Sequence, residues 1–343
     1  FQLLESIEDQ EYPSTRVQVN VVCSQDVAPA IPLDTLKPNV KVWTYPKASA
    51  YHGPAMTWLI ERCLASGGNS FFVFLKPEDV IKPDYFQNII ARGFDSFVMQ
   101  GYVATRQHYQ SSSPLASVVS LSKRLINRIS NAGRYHLGLS CRLQDSGWVV
   151  KQEVLEMVPY RRGHDLDNLE YSLRLSLSNF RVTWAPNVVV YNDEQVELMP
   201  FLTECVASVV NRLRLFVRYG IPLIIRTLVR FDFMYLEEAM TVIKPPHFVV
   251  GALLVVLGIV SLWVAPELDP QSSFASLARP NVWFSFAAIG VALHLLSLVV
   301  ARSRPADYLT STLWTPVLYI GSFVALPIAI AHYAMSTIVG KKQ

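Results

Sequence analysis

Residues 51–86 read YHGPAMTWLIERCLASGGNSFFVFLKPEDVIKPDYF. Within Ala55 to Ala65, Met56, Leu59, Ile60 and Cys63 recur at helical spacing and share one side, so this half is a helix. Phe71 to Leu75 is a short unbroken apolar run, the mark of a buried strand. The Lys-Pro-Glu-Asp stretch from Lys76 to Asp79 then forms a strand-to-helix loop. A helix crossing between strands is the building unit of an α/β domain.

Working outward, Val17 to Cys23, Val40 to Tyr45 and Ser96 to Thr105 are the clearest further strands. Alternating strands and helices in this order predict a mostly parallel sheet. A later strand pair, Phe180 to Thr183 and Val188 to Tyr191, is separated by a turn around Pro186. The α/β domain is expected to occupy residues 1–198.

The rest of the 343-residue chain has a different character. Overall 51% of the residues are hydrophobic and 17% charged, against about 25% charged in an ordinary soluble domain. That balance points to lipid and excludes disorder. A net charge of +3, without an Arg/Lys run, is too mild to argue for nucleic acid. Cys23, Cys63, Cys141 and Cys205 are widely spaced, without a CxxC or Cys/His cluster, and read as reduced cytosolic thiols.

Residues 247–343 are expected to form a transmembrane region, because three long apolar runs fall there. The run 248–265 holds no ionisable residue, 282–301 holds only His294, and 313–339 holds only His332. Each is long enough to cross the hydrocarbon core, and Pro316 and Pro327 leave the last open to a kinked or re-entrant path. The loop with Glu267 and Asp269 is acidic and the next carries Arg302 and Arg304, so the positive-inside rule predicts a cytoplasmic N-terminal domain on an inner or plasma membrane protein. Lys341 and Lys342 would then lie outside, in mild conflict with that rule, unless the last run is re-entrant. Phe1 in place of an initiator methionine suggests a start inside a longer chain.

Between these regions, residues 199–246 interleave Arg212, Arg214, Arg218, Arg226 and Arg230 with apolar residues, and Pro222 divides the stretch. Arg214 and Arg218, like Arg226 and Arg230, sit four apart on one helical face. Two amphipathic helices in the headgroup layer satisfy the pattern; the alternative is a pair of surface helices packed on the α/β domain.

Residues 51–86, together with GLSCRLQDSGWVVKQEVLEMVP and NLEYSLRLSLSNFRVTWAPNVVVYN within 131–192, resemble the nucleotide-sugar half of membrane-anchored family-two glycosyltransferases. The resemblance implies a Rossmann-like GT-A fold, and a divalent Mg or Mn ion that neutralises the leaving diphosphate if transfer is active. It sets Lys76, Pro77 and Glu78, followed by Asp79, where the family has its metal-binding Asp-x-Asp. An ammonium in the first position repels a metal, while Glu78 and Asp79 supply at most one or two oxygens. The register of Leu173, Arg174 and Leu175 sets Asp167 and Asn168 at the Glu-Asp pair, so Asn168 occupies the general-base position, where an amide has no useful basicity. Asp165, Asp167 and Glu170 are the nearby carboxylates, and Glu170 has the spacing of a helical ion pair with Arg174.

On the nucleotide-sugar side, Cys23, Ser24 and Asp26 stand at the end of the first strand, where the family has an Asp, and His52 replaces a lysine. On the acceptor side, Arg212 and Arg214 occupy the place of a Gln-x-x-Arg-Trp box that lacks its tryptophan, and Trp148 is either a substitute platform or a core residue. Departures at four motifs, around a legible scaffold, point to a degenerate transferase without a cofactor. Such a protein would be a scaffold or regulatory subunit beside other membrane proteins, with a possible nucleotide diphosphate ligand. Two other readings stand beside it. One is an active inverting transferase with altered motifs, the other a structural subunit of an unrelated membrane complex.

Overall fold

The computed structural model describes residues 2–23, 37–46, 52–68, 70–93, 96–105, 123–161, 167–192 and 211–243, with isolated positions at 120, 208 and between 257 and 292. The chain divides into two compact units. One comprises Phe1–His108, Asn131–Glu194 and Arg226–Glu238, the other Tyr109–Ser130, Gln195–Ile225 and Ala239–Gln343.

The first unit is mixed α/β. Strands β1 (Val19–Cys23) and β2 (Val40–Thr44) pair in parallel. Helix α1 (Gln2–Glu8) precedes them and α2 (His52–Ser66) follows, four residues longer than its apolar repeat because Pro54 is tolerated in a first turn. A five-stranded sheet then takes β3 (Phe71–Phe74), β4 (Asp79–Ile81), β5 (Val98–Thr105), β6 (Trp148–Lys151) and β7 (Val182–Asn192) in the order β3-β6-β5-β7-β4.

The expected mostly parallel sheet is corrected for these five strands, since among their described residues only β5 and β7 pair in parallel and β6 runs antiparallel to both β3 and β5. Leu75 to Glu78 is too short a link for a parallel crossover, and β4 runs antiparallel against β7 at the edge. The predicted turn at Pro186 is also corrected. Val182–Asn192 is one strand, in which Gly101 pairs with Ala185 and Tyr102 with Val189, so residues 186–188 are looped out and Pro186 owes no ladder donor.

Alternate residues of the strands feed two apolar clusters, as the two-residue strand period requires. Trp148 and Val150 join Phe74, Val98, Leu155, Tyr171 and Leu175 on one face, while Val149 joins Met99, Ile81, Tyr85, Phe86 and Ile89 on the other. Helix α3 (Tyr85–Gly93) covers the second face. The short α4 (Ala132–His136) and α5 (Gln152–Met157) precede α6 (Asp167–Leu177), which brings Tyr171 and Leu175 to the first face. A sheet buried on both faces reads as apolar runs, which is why β3 and β5 were legible.

Residues 211–215 are helical and lead into a π-helical turn, Phe216–Gly220, and then into α7 (Ile221–Arg230), within which the chain passes from the second unit to the first at Arg226. Pro222 therefore does not divide two separate helices. The π-helical turn sits where its missing N–H would break a regular ladder. Helix α8 (Phe233–Ile243) follows after Phe231, whose φ of 53° is in the left-handed region. Among the described residues no helix is long and apolar enough to cross a membrane. The three predicted spans lie almost wholly outside those residues.

Candidate functional site

The residues 141–147 form a loop that leads into β6 and gathers the chemistry-bearing positions. Gly147 closes it with φ 72°, a conformation that favours glycine, and a Cβ there would lie 2.9 Å from a Val190 methyl. Its N–H donates to the Phe74 carbonyl at 2.9 Å, and its own carbonyl accepts from the Gly101 N–H at 2.8 Å. The loop is thus tied to the ends of β3 and the middle of β5.

Asp79 meets the loop from one side. Its carboxylate accepts from the Lys76 N–H at 2.6 Å, from Asn192 Nδ2 at 2.7 Å and from the Ser146 hydroxyl. It is 0% exposed, and burial raises its pKa against the lowering influence of Ser146, the Lys76 backbone and Asn192. Gln100 on β5 supports the loop from beneath, donating to the Ser146 carbonyl at 3.1 Å and accepting from the Gln144 N–H at 2.7 Å.

Asn168 meets the loop from the other side, at the start of α6. Its Nδ2 donates to the Gln144 carbonyl at 3.0 Å and its Oδ1 accepts from the Tyr160 hydroxyl at 3.1 Å. Ser172, one turn on, donates to the Asn168 carbonyl at 2.8 Å and accepts from the Leu143 N–H at 3.3 Å. The metal position and the base position of the resemblance therefore converge on a single loop, whose Gln144, Asp145 and Ser146 sequence reasoning missed. The Asp-Ser-Gly at 145–147, a turn signal ahead of an apolar run, could have revealed it.

Lys76 stands at the open edge of this group. Its Nζ lies 3.9 Å from Glu78 Oε1 and 3.8 Å from Asp145 Oδ2, with Asp145 largely exposed. An ammonium between the two accessible carboxylates occupies the space and neutralises the charge that a divalent ion would need, and the remaining carboxylate, Asp79, is buried with three donors. These residues do not fit a metal ion. Among the described residues no group of three His, Cys, Asp or Glu could hold one.

The other expected site residues scatter. Trp148, a candidate sugar platform, is 1% exposed and stacked on Phe74 with ring centroids 3.6 Å apart, so it is a core residue and cannot meet an acceptor. Cys23 ends β1, its thiol directed to the Trp43 carbonyl at 3.6 Å. Ser24 and Asp26 lie outside the described residues, while His52 and Asp167 begin α2 and α6 with side chains outside them. Cys23, Cys63 and Cys141 form no disulfide.

The arginines divide as well. Arg226 donates to the Leu177 carbonyl at the end of α6 and lies over the Tyr235 ring, and Arg230 donates to Asn179 Oδ1 at 3.1 Å. Both are held by the α/β unit, as in the surface-helix alternative, because a helix C-terminus attracts cations. Arg212 donates to Ser208 and the Thr241 carbonyl, and burial lowers its pKa. Arg214 is exposed beside Asn211, and exposed Arg218 lies over the Tyr219 ring.

No protein-family model matches the chain, and no curated protein does. Among solved structures it is similar to Staphylococcus aureus TarS residues 1–349 in complex with UDP-GlcNAc, with 18% identity, 57% of this chain covered and a TM-score of 0.40. It is also similar to the mannosyltransferase PcManGT from Pyrobaculum calidifontis in complex with GDP-Man and Mn2+, with 14% identity, 94% of this chain and 81% of that chain covered and a TM-score of 0.49. The chain spans only 55% of the TarS fragment. Every one of these TM-scores is below 0.5, so the likeness leaves the chemistry to this chain's own residues.

Proposed function

We propose that the chain is a membrane-associated protein on a glycosyltransferase-like α/β unit that has lost transfer chemistry, and that it serves as a scaffold or regulatory subunit beside an active polysaccharide or glycolipid enzyme. One observation carries the reading: at the position of the general base, both polar atoms of the Asn168 amide are engaged in holding the Gln144 loop. An amide engaged in this way neither takes a proton nor approaches an acceptor. Lys76 between Glu78 and Asp145 supports the same conclusion for the metal.

The membrane part of the proposal rests on the apolar runs 248–265, 282–301 and 313–339, with the α/β unit and the Arg302–Arg304 loop in the cytoplasm. Exposed Leu228, Val229, Phe231 and Phe233 support attachment of the α7–α8 corner to the interface by apolar insertion, since Arg226 and Arg230 are engaged within the chain.

The test is direct. The full chain in lipid nanodiscs is assayed for binding of uridine and guanosine diphosphates and for transfer from their sugar conjugates, with and without Mg or Mn. The expected result is no metal-dependent transfer or hydrolysis. Turnover above about 1 per second, abolished by Asp167→Ala, would establish the active transferase instead.

A further inference from the structure

Away from the convergent loop, α8 brings two adjacent carboxylates, partly exposed Glu237 and buried Glu238, to a buried arginine. Arg134 of α4 is 6% exposed; its Nη2 is held by both oxygens of Glu237, and its Nη1 donates to the Ser140 carbonyl at 2.8 Å. Glu238 is 2% exposed, and its Oε1 has no hydrogen-bond partner although Arg134 Nη1 lies 3.6 Å away. A buried carboxylate oxygen left without a donor stands ready to take either a proton or a neighbour's donor.

That neighbour, Arg134 Nη1, already donates one of its two N–H groups to the Ser140 carbonyl. Ser140 begins the segment that runs into the 141–147 loop, and its hydroxyl accepts from the Val182 N–H at 3.1 Å. Cys141 N–H donates to the Val182 carbonyl at 2.8 Å, and Arg142 N–H donates to Asn131 Oδ1 at 3.1 Å. The Arg134 to Ser140 contact is the point where the charged cluster grips this segment.

We propose that Glu238 is a proton-controlled latch on the segment 139–147. Neutral Glu238 leaves Arg134 Nη1 on the Ser140 carbonyl and the segment stays clamped. Ionised Glu238 attracts the guanidinium as a whole, draws it from Ser140 and loosens the segment that carries Gln144, Asp145 and Ser146. No other atom changes charge in this step: one proton leaves the Glu238 carboxyl for solvent.

Every charged or titratable group near the latch pulls in a defined direction. Burial disfavours the ionised form most, Arg134 and Arg142 favour it and Glu237 opposes it; burial with Glu237 outweighs the two arginines and pushes Glu238 up to about 7. Cys141, whose thiol burial pushes up to about 12, stays neutral through the same range and does not compete. The exchange of partners therefore falls near neutrality, where a modest pH change moves the population.

Amide hydrogen exchange on the full chain in nanodiscs, corrected for the intrinsic pH dependence, tests the latch without reference to nucleotide. Between pH 6 and pH 8.5 the protection of Cys141, Arg142 and Gln144 should fall by about tenfold or more in the wild type, with Val149 and Val150 on β6 unchanged. Glu238→Gln, neutral at every pH, should abolish the fall. Three outcomes overturn the proposal: no fall in the wild type, the same fall in Glu238→Gln, or an equal loss on β6, which would be global loosening. If Glu238→Gln does not fold, the wild-type comparison of the loop with β6 decides alone.

Discussion

Replacing Asn168 by aspartate would not simply supply a base. The Nδ2 donor to Gln144 would be lost and a carboxylate oxygen would face that carbonyl, with only the Tyr160 hydroxyl left to bond it. Asn168→Asp is expected to destabilise the α/β unit by about 1–3 kcal/mol in denaturant titrations at pH 7, and Lys76→Asp with it should not yield turnover. Gly147→Ala should cost at least about 1 kcal/mol, because alanine is strained at φ 72° and its Cβ meets Val190. Calorimetry that finds either variant as stable as wild type would contradict these placements. The asparagine at the base position was readable in the sequence, but its two partners were not, since Tyr160 and Gln144 reach it only through the folded loop. Trp148 was ambiguous for a related reason: an aromatic run-starter on an unrecognised strand looks alike whether it faces a sugar or a core.

At the level of elements, α8 makes stability depend on pH. Glu238 has a folded pKa of about 7, above the ordinary 4.5 of an unfolded glutamate, so the native state holds the proton that the unfolded chain has lost. Its influence on stability is full below pH 4.5 and is lost as pH rises to 7. Glu238→Gln should therefore gain up to about 3 kcal/mol over wild type above pH 7, and nothing comparable below pH 4.5, in parallel denaturant series. At the α7–α8 corner, Phe231→Ser with Phe233→Ser should release the full chain's α/β unit from close contact with the bilayer, read as loss of quenching by lipid-borne quenchers. Unchanged quenching would sink the insertion reading, and an effect confined to anionic lipid would favour the arginines. β3, a continuous apolar run, and β5, rich in Val, Met and Tyr, were legible because both faces of the sheet are covered. β4 and β6 were not, being three and four residues long and defined by partners distant in sequence. The parallel order failed for that reason: pairing is decided by which strand lies alongside, and β6 enters between β3 and β5 from 43 residues beyond β5.

For the molecule as a whole, topology is the accessible test. A cysteine introduced near Asp269, in a background lacking the other four, should react only with reagent on the side away from the α/β unit. Labelling from the same side would overturn the proposed orientation. The expectation of a membrane region rests on composition and the long apolar runs alone, because the hydrocarbon core demands length and apolarity from a single stretch of chain. The α/β unit is assembled from three separate stretches, and no local pattern announces that residues 226–238 belong with it.

Asp79 shows how a buried acid can be misjudged. Of the acidic residues after β3, it is the one that most invites interpretation as a relic of catalysis, yet it is sealed from solvent and fastens three parts of the chain: the Lys76 backbone, Ser146 and Asn192. A chain could shed every reacting group and still need this carboxylate to fold. Reading it as a vote for activity would mistake a beam for a tool.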